Sequence, residues 1–200
     1  MVNIPSQRTI NLLVSCADAL EIEALLYSVK ATYRILQARP EHMAALPEIE
    51  RAAADIYPEE VLPQGLRAQT SSIEDFESAR RLGLLWVAVA ADGSPVGFAL
   101  AEDHGIDLHL DELDVHPAYQ RRGIGRALVG AVCQAAWEAG HRGVTLTTYA
   151  DIPWNAPWYE RLGFRVVAPE EVSPERTATV QSETQSGFDP QLRVAMLKDL

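Results

Sequence analysis

The stretch Gln120-Arg121-Arg122-Gly123-Ile124-Gly125-Arg126 holds what a phosphate site needs. Two glycines one residue apart let the backbone turn tightly and bring its N–H groups close to a ligand. A helix-like run, Ala127 to Ala139, follows them. Its first turn adds unpaired donors and the positive end of the helix dipole. Arginines on both sides supply positive charge. The chemistry indicated is capture of a phosphorylated ligand such as a pyrophosphate. A Walker loop needs Gly-x-x-x-x-Gly-Lys-Ser/Thr, which is not the pattern here, and a dinucleotide fingerprint needs Gly-x-Gly-x-x-Gly. Leu128 occupies the third glycine position of that fingerprint, so a Rossmann site is not indicated.

Such a loop must be held between a strand and a helix. The strand is the apolar run ending Leu113-Asp114-Val115, closed by His116-Pro117, and the helix is expected to stop at Gly140. Upstream, Thr32 to Leu36 is β-rich, and Met43, Leu46, Ile49 and Ala53 recur at helical spacing, with Pro47 early enough for a first turn. Residues 57 to 72 contain Pro58, Pro63 and Gly65 and read as a loop or broken helix. A short helix is expected over Ile73 to Leu82. Leu85 to Val89 and Val96 to Leu100 flank Asp92-Gly93, a hairpin signal. Downstream come a strand from Val144 to Tyr149 and a short helix from Asn155 to Leu162 that Gly163 ends. Two further strands, Phe164 to Val167 and Leu192 to Leu197, surround a polar stretch from Pro169 to Pro190. Mixed strands and helices in this order indicate an α/β or layered α+β domain.

Composition bounds the partners. The chain has 200 residues, 48% hydrophobic and 22% charged, enough for one domain with a sizeable core. Its net charge of −11, from 17 basic and 28 acidic residues, argues against a general nucleic-acid binder, which needs a basic face. It is compatible with cationic substrates. No apolar run approaches the roughly 18 residues that span a membrane, so the cytoplasm is the default expectation. Cys16 and Cys133 have no metal or disulfide spacing, and no metal is expected. Residues 1–30 read as a separate N-terminal extension with a loose helical stripe. A packing or homodimerisation helix and an unstructured extension both remain open for it.

Two motifs carry a family resemblance. Gln120-x-x-Gly123-x-Gly125 after the Leu113-x-Val115 strand end resembles the acetyl-CoA signature of the GCN5-related N-acetyltransferases (GNAT). Tyr159-x-x-x-Gly163-Phe164, after a strand and short helix, resembles the C-terminal signature of the same family. The resemblance covers residues 31–200. It implies the GNAT fold, a mixed and mostly antiparallel sheet flanked by helices. It also implies direct acetyl transfer from acetyl-CoA to the primary amine of a small molecule or peptide, in a ternary complex. The alternative is a catalytically idle acetyl-CoA sensor or scaffold.

The resemblance also suggests roles for individual residues. The backbone of Leu113, Asp114 and Val115 should run beside the pantetheine arm. Gln120, Arg121, Arg122, Gly123, Ile124, Gly125 and Arg126 should hold the pyrophosphate. Arg161 and Arg165 could reach the 3′-phosphate. Tyr159 matches the family tyrosine placed near the sulfur, where a phenol can protonate a departing thiolate. By distance from the glycines, Asp111 and His109 fall where other members keep a base, and Glu112 matches an acidic residue that meets the amine. His109, Asp111 and Leu113 share parity and should point to one face of the strand, unless a bulge shifts the count. The chain departs from the family at Ile152, seven residues before Tyr159, where many members have an asparagine. Asn155, nearby, could serve the cofactor or cap the short helix. Trp154 and Trp158 could line the acceptor pocket.

Overall fold

The computed structural model describes residues 33–168 and 188–200. The expected N-terminal extension and most of the polar stretch 169–190 lie outside the described residues. Seven strands form a single sheet: β1 (Tyr33–Gln37), β2 (Leu85–Ala90), β3 (Pro95–Asp103), β4 (Asp107–Val115), β5 (Gly143–Tyr149), β6 (Arg165–Val166) and β7 (Arg193–Asp199). Their spatial order is β1-β2-β3-β4-β5-β7-β6. All neighbours pair antiparallel except β4 and β5.

Helices cover both faces, which is why all six residues of β2 are buried. On one face lies α4 (Ile124–Ala139), which buries Ile124, Leu128, Val129, Val132 and Ala136 against Ala88, Ala99, Leu108, Leu110, Val144 and Leu146. That 3.6-residue stripe is what makes the segment a helix packed on a sheet. On the other face lie α1 (Leu46–Ala54) and α3 (Ile73–Arg81). They pack Leu46, Ile49 and Phe76 on Val87, Val89, Phe98 and Leu100. Between them, α2 (Gln64–Arg67) is a single turn in the expected broken segment. Pro47 occupies the first turn of α1, where a missing N–H costs nothing. Ser72 caps α3, accepting from the Asp75 N–H at 3.2 Å while the Asp75 carboxylate accepts from the Ser72 N–H at 3.1 Å.

Several boundaries moved, two of them in helices beside the cleft. α4 begins at Ile124 rather than Ala127, because Gly123, at φ 85°, caps it directly. The last helix, α5 (Ala156–Glu160), stops two residues short of Leu162. A larger difference lies in β4, where a bulge breaks the alternation. Leu100 of β3 pairs with Glu112 and Ala101 pairs with Leu110, so Asp111 is an extra residue. Leu108 and Leu110 face α4 before the bulge, and Leu113 and Val115 do so after it. The expected common face of His109, Asp111 and Leu113 is therefore wrong. Glu112 and Asp114 instead turn toward the face covered by α1, while Asp111 is exposed.

Candidate active site

β4 and β5 pair only from Asp107↔Gly143 to His109↔Thr145. Beyond that point the strands diverge, and a cleft of about 780 Å³ opens between them. Leu113, Asp114 and Val115 line one wall of the cleft, with Pro153, Trp154, Asn155, Trp158 and Tyr159 on the β5 side. Gln120, Arg121, Gly123, Ile124, Gly125 and Arg126 close one end, and Ala53, Ile56 and Tyr57, from α1 and the segment after it, close the other.

The loop end is built from backbone. Arg121 adopts φ 60° and Gly123 φ 85°, both in the left-handed region, so successive N–H groups turn toward a common concavity. Ile124 then starts a helix of 16 residues whose first N–H groups have no partner inside the helix. Gln120 Nε2 donates to the Val115 carbonyl at 3.0 Å and ties the loop to the end of the strand. A Cβ added at Gly125 would sit 3.4 Å from the Trp158 ring, so a small residue there lets α5 approach α4. Arg121, Arg126 and Arg161 line the cleft and have no carboxylate in ion-pair distance among the described residues. Arg122 is different: its guanidinium donates to the Ala118 carbonyl at 2.9 Å and lies over the Tyr119 ring. Its side chain is outside the cleft lining. Arg165 is also elsewhere, 3.9 Å from the Asp199 carboxylate.

The opposite end is built from side chains. Asp114 reaches the cleft wall, and Glu112 stands behind it on the same face of β4. Glu50 of α1 completes a row of three carboxylates. Both Glu50 oxygens accept the Ser71 N–H, at 3.0 and 2.9 Å, and the Ser71 hydroxyl lies 3.5 Å from Glu112. Desolvation pushes all three carboxyls up, and their mutual repulsion adds to this at Glu112 and Asp114. Glu112 is held well above the usual range, chiefly by burial and the Asp114 charge, and is hydrogen-bonded to Asp114. Burial raises Asp114 to about 7, with that hydrogen bond opposing the rise and the Glu50 charge adding to it.

Three more polar groups frame this end. The Tyr57 hydroxyl donates to Asn155 Oδ1 at 3.1 Å, and Asn155 Nδ2 donates to Thr148 Oγ1 at 2.7 Å. Asn155 sits at the start of α5 but makes no side-chain cap; its amide links the loop after α1 to β5 instead. Tyr57 is pushed up to about 12, chiefly by burial. Tyr159 is 8% exposed, packed against Phe164 and Trp158, with no hydrogen bond from its hydroxyl to a described residue. Burial, then the nearby Tyr57 and Asp114, raise its phenol well above the ordinary value, so it stays protonated.

Of the four residues expected to carry chemistry, the structure brings only Tyr159 to the cleft lining itself, with Glu112 one carboxylate behind. His109 is 2% exposed, stacks on His104 at 4.9 Å and hydrogen-bonds Thr145 Oγ1 at 2.9 Å. It lies five positions before Asp114, roughly 13–16 Å away at strand rise, where β4 and β5 are still paired. Asp111 is the bulge residue and is outside the lining. The Asp114 side chain was missed as chemistry because only its backbone had been assigned a task. Glu50 and Tyr57 carried no motif at all.

Comparison with known proteins agrees with this architecture. The acetyltransferase (GNAT) family matches residues 46–164, more than half of the chain. Among solved structures, a PaiA N-acetyltransferase from Thermoplasma acidophilum in complex with coenzyme A superposes with a TM-score of 0.61 at 19% identity, covering 84% of this chain and 99% of that one. N-acetylglutamate synthase from Neisseria gonorrhoeae, complexed with coenzyme A and N-acetyl-glutamate, gives 0.62 at 18% identity over 85% of this chain and 35% of the synthase. A GCN5-related N-acetyltransferase from Rhodopseudomonas palustris gives 0.59 at 24% identity over 85% and 97%. The fold and the loop-bearing cleft define an acyltransferase of this class. The chain belongs to the acetyltransferase (GNAT) family. Among the described residues, no helix is long and apolar enough to cross a membrane, and no group of three or more His, Cys, Asp or Glu side chains is arranged so that it could hold a metal ion.

Proposed function

We propose that this chain transfers an acetyl group from acetyl-CoA to a primary amine, with Asp114 as base and Tyr159 as acid. The observation that carries this reading is one cleft joining an N–H-lined loop to a carboxylate near neutral pKa and a protonated phenol. The residues present suit acetyl-CoA. The concave loop at Arg121–Ile124 would take the pyrophosphate, with Arg121, Arg126 and Arg161 contributing charge. The free edge of β4 at Leu113–Val115 would run along the pantetheine arm and offer backbone N–H groups to a polarised carbonyl. When bound, acetyl-CoA supplies the activated acetyl thioester.

The protein's own part is proton handling and placement. An amine arrives as an ammonium and must lose a proton before it can attack. The Asp114 carboxylate accepts that proton, and its value of about 7 keeps it ionised near neutral pH yet basic enough to work. Glu112, hydrogen-bonded to Asp114, holds the carboxylate in place. The Tyr159 hydroxyl donates its proton to the departing sulfur, and a proton lost from the nitrogen restores it. Asn155, fixed by Tyr57 and Thr148, holds the segment after α1 against β5. Residues 31–200 form the catalytic domain in this reading, with 1–30 as an appended segment.

The test mixes purified protein with acetyl-CoA and a panel of amines and follows free thiol. Turnover is expected, and Tyr159→Phe should lower kcat about 100-fold with little change in KM. Undiminished turnover by that variant would remove Tyr159 from the mechanism. Tight acetyl-CoA binding without turnover on any amine would favour the sensor instead.

A further inference from the structure

The acceptor end of the cleft gathers more acidic groups than one proton transfer requires. Asp114 on the wall is backed by Glu112, and Glu112 by Glu50. The residues around Asp114 in the lining are Ala53, Ile56, Tyr57, Trp154 and Asn155, none of them cationic. Two of the neutral donors there are engaged: the Tyr57 hydroxyl with Asn155, and the Asn155 amide with Thr148. Arg121 and Arg126 belong to the loop at the other end, and Arg161 follows the helix whose Trp158 abuts Gly125. Arg193 is the remaining cation that influences Tyr159, but its guanidinium is held by Thr147 and lies over the Tyr149 and Phe188 rings, outside the lining. An independent observation marks this end as a ligand site. The Tyr159 hydroxyl, on a residue 8% exposed, lines the same cleft with no partner among the described residues.

Resting on the functional reading above, we propose that the acceptor is a cationic amine with no carboxylate beside the amino group, so that free α-amino acids are excluded. An ammonium docked on Asp114 is drawn by its carboxylate, with the Glu50 charge behind it adding to the attraction. A carboxylate on the adjacent carbon would be carried into the same pocket, against like charge and with no cation at that end to receive it. The apolar and aromatic walls from Ala53, Ile56, Tyr57 and Trp154 suit an aliphatic or aromatic body. The chain's net charge of −11 favours encounter with cations and disfavours anions.

Three acceptors of one skeleton test this: phenethylamine, phenylalanine amide and phenylalanine. The amide matches the acid in shape and differs in charge. With acetyl-CoA saturating, kcat/KM for phenethylamine and for the amide should each exceed that for phenylalanine by about 100-fold or more, as expected for like charges in a partly buried site. Rates within threefold for the amide and the acid would overturn the proposal. So would an amide as poor as the acid beside a good phenethylamine, since size would then explain the selectivity. If none of the three turns over, the acetyl-transfer reading fails on its own, and calorimetric binding in the presence of coenzyme A decides the selectivity separately. Phenethylamine and the amide should then bind and phenylalanine should not; equal binding of all three would overturn the proposal. Glu50→Gln should narrow the discrimination about tenfold while leaving coenzyme A affinity unchanged, and unaltered discrimination would remove Glu50 from the site.

Discussion

The two ends of the cleft are built by different means. At the loop end, Arg121 to Ile124 present backbone N–H groups, and side chains matter mostly by being absent, as at Gly123 and Gly125. At the acceptor end, the proposed function rests on where the side chains of Glu50, Glu112, Asp114, Tyr57 and Tyr159 point. A backbone site is written locally: seven consecutive residues make it. A side-chain site is assembled from α1, β4, the segment after α1 and α5, and one bulge decides which residues of β4 take part. The first kind tolerates divergence in the surrounding chain, and the second can change specificity by single substitutions.

The largest expected effect tests the acceptor end. Asp114→Asn should lower kcat by about 100- to 10,000-fold and abolish a pH limb near 7, while calorimetry shows coenzyme A binding unchanged. In the wild type, activity should rise as pH increases through about 7, because the base works only when ionised. A full rate in Asp114→Asn would move the base elsewhere.

The loop end should respond in the opposite manner. Gly123→Ala places a Cβ at φ 85°, which costs about 1–2 kcal/mol if the conformation is kept. Coenzyme A affinity should weaken about tenfold, with the pH profile intact. A loss of the pH limb in this variant would mean that the two ends are not separable.

A smaller effect concerns stability. The folded value of Asp114, about 7, lies above its ordinary 3.8. Its contribution to stability is therefore present in full below about 4 and is lost as pH rises through about 7. Asp114→Asn should raise the melting temperature relative to wild type at pH 8, and do so less or not at all at pH 5. Scanning calorimetry at the two pH values gives the sign. The smallest effect is expected at the bulge residue: Asp111→Asn should leave kcat/KM within about twofold, and a large loss would bring Asp111 back as base.

Much of the fold was legible because its signals are short-range. The Asp92-Gly93 hairpin, the β4 span, Gly140 at the end of α4 and the buried stripe of that helix all follow from turn chemistry and periodicity. The left-handed turn at Gly123 before α4 was legible for the same reason. What could not be read concerns partners distant in sequence. The shift of register opposite Leu100 and Ala101 is set by how β3 and β4 pair, and a parity count along β4 alone gives the wrong face. Asn155 looks like a helix cap from its neighbours, yet it bonds Tyr57 and Thr148 because packing brings them within reach.

By itself, the sequence determined the family and marked the glycine loop at Gln120–Arg126 and Tyr159, since each is a pattern of adjacent or regularly spaced residues. Only the tertiary structure decided which carboxylate faces the cleft. That depends on the bulge at Asp111 and on Glu50 arriving from α1, where burial and repulsion among three acids lift Asp114 toward neutrality.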